Sequence, residues 1–174
     1  TIAGFGQARS LAMQPDGKIM VLTSVTDSMG DQLAVVRLSG SGLLDSSYAM
    51  NGVRTFSGAP SQASAVWCQP DSRLLIVGAT TVSRLHEDSS LDTTFGDGGA
   101  FLPSIPGGNN TIHASYMLPD GSLLVGGHVA HPYPLSYSDG WLTRLMPSGD
   151  IDMTFGVGGF VLFPSDSLPN SSRT

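Results

Sequence analysis

Three stretches of this sequence align without a gap: RLSGSGLLDSSYAMNGV from Arg37, RLHEDSSLDTTFGDGGA from Arg84 and RLMPSGDIDMTFGVGGF from Arg144. A threefold internal repeat constrains a fold more than composition does, because one repeat cannot bury its apolar face alone and must stack on its neighbours. A second recurrence lies upstream of each copy. RSLAMQPDGKIMVLTSV from Arg9, SAVWCQPDSRLLIVG from Ser64 and ASYMLPDGSLLVGG from Ala114 each hold two apolar runs around a Pro-Asp turn. Proline presets φ for a turn and glycine tolerates positive φ, so each reads as a β-hairpin.

After each Arg-Leu strand comes a turn and a short apolar run, VRTF from Val53, AFLP from Ala100 and FVLF from Phe160. Each unit is thus four strands. The equivalent residues Asp16, Asp71 and Asp120 recur with a period of about 50, and four strands at that period predict an all-β propeller of three four-stranded blades. The whole chain, 1–174, is expected to form a single propeller segment, with blades over about 7–58, 62–104 and 111–164 and a tail over 165–174. Two copies depart from the pattern: SSYAMNG stands in the first where the others have TTFGDGG and MTFGVGG, and Ser72 replaces the glycine of the Pro-Asp-Gly turn. Different turn shapes are expected there.

The combination of QPDGK, then Arg-Leu, then LDTTFGDGG resembles the delta-60 repeat, a bacterial β-propeller repeat found in tandem in large extracellular or surface proteins. The resemblance covers essentially the whole chain. It implies a propeller fold, an extracellular, cell-surface or periplasmic location and no defined chemistry.

Three blades are fewer than the roughly four to eight of known propellers, and an open arc leaves apolar faces on its first and last blades. A homodimer closing a six-bladed ring, or further blades of a longer parent chain, is expected to cover them.

Arg37, Arg84 and Arg144 share one repeat position, and Asp45, Asp92 and Asp152 share another eight residues on. Catalysis is seldom triplicated, so a structural ion pair, or an arginine capping turn carbonyls, is expected. Asp92 and Asp97 suggest a calcium loop, but Asp97 becomes Met50 and Val157 elsewhere, and calcium takes six to eight oxygens. An Asp-Thr turn cap explains Asp92 more simply.

Antiparallel strands put the Pro-Asp turns and the LDTTFGDGG turns on one side and the remaining loops on the other. The separations Asp16 to Arg37, Asp71 to Arg84 and Asp120 to Arg144 differ, which places the variation in the loop between the second and third strands. Variable loops on a constant scaffold are where binding resides. The longest, from His128 to Trp141, holds His128, His131, Tyr133, Tyr137, Asp139 and Trp141, and the loop upstream adds Asn109 and Asn110. Aromatics beside Asn, Asp and His suit a carbohydrate or protein ligand, while packing of these aromatics onto their own blade is the alternative. His113, His128 and His131 lack the cysteine, HExxH helix or repeated carboxylate that would complete a metal site, so neither metal nor cofactor is expected.

The formal charge of -6, with eight scattered Lys and Arg, opposes a nucleic-acid partner, and no apolar run approaches the roughly 20 residues of a membrane span. The chain as it stands opens without Met and without a signal-peptide h-region; a mature secreted protein or a processed fragment would begin this way. The single cysteine, Cys68, shares its position with Met13 and Met117, which predicts a buried structural thiol. Trp67 shares its position with Ala12 and Tyr116 and is expected to pack between blades. The functional expectation is a non-enzymatic binding or structural propeller that presents its variable loops. The alternative is a hydrolase or lyase acting on a polysaccharide or lactone, which would need a convergent carboxylate pair.

Overall fold

The computed structural model describes residues 4–27, 30–56, 63–132 and 137–165. These form three four-stranded antiparallel sheets, with no helix among the described residues. The first blade holds β1 (Ser10–Met13), β2 (Ile19–Asp27), β3 (Gly30–Leu38) and β4 (Val53–Phe56). The second holds β5 (Ala65–Cys68), β6 (Leu74–Val77), β7 (Val82–Leu85) and β8 (Ala100–Phe101), and the third β9 (Asn109–Met117), β10 (Leu123–Ala130), β11 (Ser138–Leu145) and β12 (Phe160–Phe163). Each sheet runs first strand to fourth in chain order.

Strand alternation divides each blade into two faces, and stacking buries them in turn. Met20, Leu22 and Val35 of the first blade pack against Val66, Leu74 and Ile76 of the second. The intervening side chains of the second blade, Leu75, Val77 and Val82, pack against Leu123, Val125 and Trp141 of the third. The middle blade is therefore apolar on both faces and reads LLIV over β6, all four buried. Each fully buried aliphatic side chain contributes about 1.5–3 kcal/mol relative to exposure, so these two interfaces are the core of the molecule.

Polar groups also cross each junction. Buried Gln14 donates its amide to the Ser72 carbonyl and buried Gln69 donates to the Gly121 carbonyl, each reaching the Pro-Asp turn of the next blade. Trp67 lies at the second junction, its Nε1 donating to Ser115 Oγ at 2.8 Å and its ring meeting Tyr116 edge-on at 6.0 Å.

Two expectations from sequence need correction. The variation between second and third strands is largely strand length rather than loop length. β2 and β3 pair continuously from Ile19↔Leu38 to Asp27↔Gly30, and β10 and β11 from Leu123↔Leu145 to Ala130↔Ser138, whereas β6 and β7 stop at Val77↔Val82. Residues that can continue a ladder do so, because an unpaired backbone group is costlier than a paired one.

The departing turns also keep the common shape. Ala49 and Asn51 adopt φ of 46° and 51°, matching Gly96 at 53° and Gly98 at 61°. Ser72 at 69° likewise follows Gly17 at 83° and Gly121 at 86°. The surrounding ladder imposes the backbone, and non-glycine residues there carry the left-handed strain.

Candidate functional site

The repeated stretch builds the same polar knot in every blade. Asp45, Asp92 and Asp152 each divide their two carboxylate oxygens between two tasks. Oδ1 accepts from the N–H and hydroxyl two residues on: Ser47 at 3.1 and 2.6 Å, Thr94 at 3.0 and 2.6 Å, Thr154 at 2.9 and 2.6 Å. Oδ2 faces the arginine, accepting from Arg84 Nε at 2.8 Å and Arg144 Nε at 2.7 Å. In the first blade Arg37 Nε lies 2.9 Å from Asp45 Oδ2, an ion pair without hydrogen-bond alignment.

Sequence reading missed the aromatic ring under each guanidinium. Arg37 stands 4.8 Å from the centroid of Tyr48, Arg84 4.8 Å from Phe95 and Arg144 5.3 Å from Phe155. The signal was an aromatic three residues after each aspartate. A guanidinium held edge-on by a carboxylate and flat by a ring is well satisfied for its burial. The conserved geometry of the turn also requires glycine at one place: Gly99 has φ of 102°, and a Cβ there would sit 2.9 Å from Leu91 Cγ.

The arginines then reach forward. Arg84 Nη1 donates to the Pro147 carbonyl of the third blade, and Arg37 Nη1 lies 3.9 Å from Glu87 of the second. Arg144 has no following blade in this structure, and its side chain is 35% exposed against 6% and 5% for Arg37 and Arg84.

Of the residues expected to bind a ligand, His131, Tyr137 and Asp139 come together, and Trp141 does not join them. Trp141 is 2% exposed and faces the second blade within the core, so its ring is not offered to solvent. Gly127 pairs with it across the ladder, and a Cβ there would collide with the indole edge and the Thr111 carbonyl. His128 and Asp139 lie on strands, not in a loop, and Asn109 and Asn110 open β9. Tyr133 lies outside the described residues.

His131 Nε2 is 2.9 Å from Asp139 Oδ2, its Nδ1 is 3.0 Å from the Gly107 carbonyl, and Tyr137 covers the ring at 4.5 Å. Both polar partners are acceptors, and the tautomer sets which of them the ring donates to. Asp139 Oδ1 accepts from Ser165 N–H at 2.8 Å, and that bond, ahead of the contact with His131, lowers the Asp139 pKa against the opposing pull of desolvation. Asn110 donates to the Ile105 carbonyl at 3.0 Å. These groups fasten the loop before β9 to the β10–β11 hairpin.

His113 and His128 form a separate pair, Nε2 to Nδ1 at 2.7 Å with rings stacked at 4.8 Å, placed by a bulge in β9 opposite Gly126 and Gly127. Among the described residues no group of three His, Cys, Asp or Glu is arranged to hold a metal ion. Cys68 is half-buried, and burial, with Asp71, Asp16 and Glu87 nearby, pushes its thiol to about 11. At neutral pH that leaves little thiolate for nucleophilic work.

Stacked four-stranded antiparallel sheets, joined in sequence order and knotted by the same Arg-Asp-aromatic turn, define a three-bladed β-propeller segment. The sequence matches the family described as a domain of unknown function (DUF5122) beta-propeller over residues 14–48, 69–95 and 118–155. These segments make up more than half of the chain, which belongs to that family; it is the family of the delta-60 repeat. No curated protein matches the sequence.

Proposed function

We propose that the chain is a non-enzymatic interaction propeller whose end faces dock on further blades, supplied by a second copy in a six-bladed ring. One observation carries the reading: positions buried or half-buried at the internal junctions are uncovered at the two ends. On the rear of the first blade Leu11 and Met13 are 67% and 64% exposed, while Val66, the equivalent of Leu11, is 1% exposed. On the front of the third blade Tyr116 is 60% exposed, and Leu124 and Leu142 are half-buried, where their counterparts Met20, Leu75, Val35 and Val82 are at most 1% exposed. An apolar face of this kind calls for a partner.

The pairing of ends follows from the repeat. Trp67 meets Ser115 at the second junction, so Tyr116 of one copy meets Leu11 of the next. Arg144 is then placed to donate to the Gly40 carbonyl, as Arg84 donates to Pro147.

The geometry favours this reading over a carbohydrate or protein site on the long hairpin, because His131, Asp139, Asn110 and Trp141 are engaged with one another's elements. It favours it over the hydrolase reading because Asp139 is held by His131 and a backbone amide rather than left free for acid-base work. Light scattering on the eluting protein tests the proposal. The expected mass is twice that of the chain, falling to one chain in Leu11→Arg and in Leu124→Arg; a wild-type monomer overturns it.

A further inference from the structure

One difference between the two junctions leaves a cavity of about 250 Å³ between the first and second blades. Ladder register identifies what is missing. Trp141 pairs with Gly127 three residues before Arg144, and Thr81 pairs with Gly78 three residues before Arg84. Phe101 pairs with Val82, and Arg54 pairs with Val35. Thus Phe101 and Trp141, both buried in the core of the second junction, are replaced at the first by Arg54 and Thr81. Both replacements line the cavity.

The walls are apolar, contributed by Leu33 and Phe56 of the first blade and Ile76 and Leu85 of the second. The Arg54 guanidinium lies over the Phe56 ring at 5.5 Å and makes no ion pair with a carboxylate among the described residues. Ser83 and Thr81 add hydroxyls. A dry cavity of about 150 Å³ accommodates benzene, so this one has room for a fused bicyclic ring.

We propose that this cavity is a binding site for a planar aromatic carboxylate. The ring takes the space that the indole of Trp141 fills at the other junction, and the carboxylate pairs with Arg54. Charge-assisted bonds from guanidinium to carboxylate supply the selectivity, and the apolar walls supply the affinity.

Calorimetric titration with indole-3-acetate, 3-methylindole and octanoate tests the site, alongside thermal melts of each variant. Wild type is expected to bind indole-3-acetate saturably, with Arg54→Gln weakening it about tenfold and leaving 3-methylindole unchanged. Thr81→Trp is expected to raise Tm and abolish binding of both indoles. Thr81→Leu, a smaller filler, weakens both and keeps the test valid if the tryptophan variant fails to fold. Absence of saturable indole-3-acetate binding to wild type overturns the proposal. So does octanoate binding as tightly as the indole acid, or affinity untouched by both Thr81 variants.

Discussion

Arg84 Nε donates to Asp92 Oδ2 at 2.8 Å, and the Asp92 carboxylate has no exposed surface. The same pair recurs in the blades either side, but only the middle one is enclosed by neighbours on both faces. Breaking it leaves a buried charge unmatched, and Asp92→Ala is expected to cost about 3–5 kcal/mol by urea denaturation. Asp152→Ala, whose arginine is 35% exposed, should cost distinctly less. Equal losses would mean that blade stacking does not set the strength of the pair.

Asp92 also carries a pH dependence. Burial pushes its pKa up, but the Thr94 hydroxyl and N–H, with the charges of Arg84 and His86, outweigh it and hold the group at about 2. An unfolded aspartate titrates at about 3.9, so the stability from this carboxylate is fully present above that pH and is lost as pH falls toward the folded value. Asp45 and Asp152 are lowered too, chiefly by the Ser47 and Thr154 hydroxyls, and act with the same sign. The gap in urea midpoint between wild type and Asp92→Asn should narrow as pH drops from 5 to 2. A constant gap would contradict the assignment.

Ala49 and Ser72 occupy left-handed backbone positions that the other blades give to glycine. The left-handed region costs a non-glycine residue roughly 1–2 kcal/mol, part of which glycine returns through the entropy of the unfolded chain. Ala49→Gly and Ser72→Gly are each expected to stabilise by about 0.5–1 kcal/mol, read as a rise in Tm. A fall in Tm for both would show that the turns are unstrained.

Trp141 is a core residue, and its truncation is a stability experiment. Trp141→Ala is expected to cost about 3–5 kcal/mol through the cavity it leaves against the second blade. Trp141→Phe should cost less, and neither should leave the melting temperature where it was. An unchanged melt for Trp141→Ala would place the ring outside the core.

Much of the fold is legible in the chain because its signals are short-range. Pro-Asp turns, apolar runs of four and the recurrence of Arg and Asp eight residues apart lie within single units, and they mark four strands per blade. The aromatic beneath each arginine is also within reach of the sequence, three residues past each aspartate. The stretch from His128 to Trp141 misled for a physical reason. Its Gly, Pro, Ser and Asp content suggests a loop throughout, but its two ends belong to β10 and β11, which pair as far as Ala130↔Ser138, since the backbone is better satisfied in a ladder.

The sequence by itself determined the repeat, the strand count and the polar knot of each blade, because periodicity and turn chemistry act over a few residues. Only the tertiary structure decided which faces meet. Whether a residue three before the arginine fills a junction, as Trp141 does, or leaves a cavity, as Thr81 does, depends on the partner it meets from the neighbouring blade. That partner, Phe56 and Arg54 for Thr81 and Phe101 for Trp141, lies dozens of residues away and is brought near only when the blades stack.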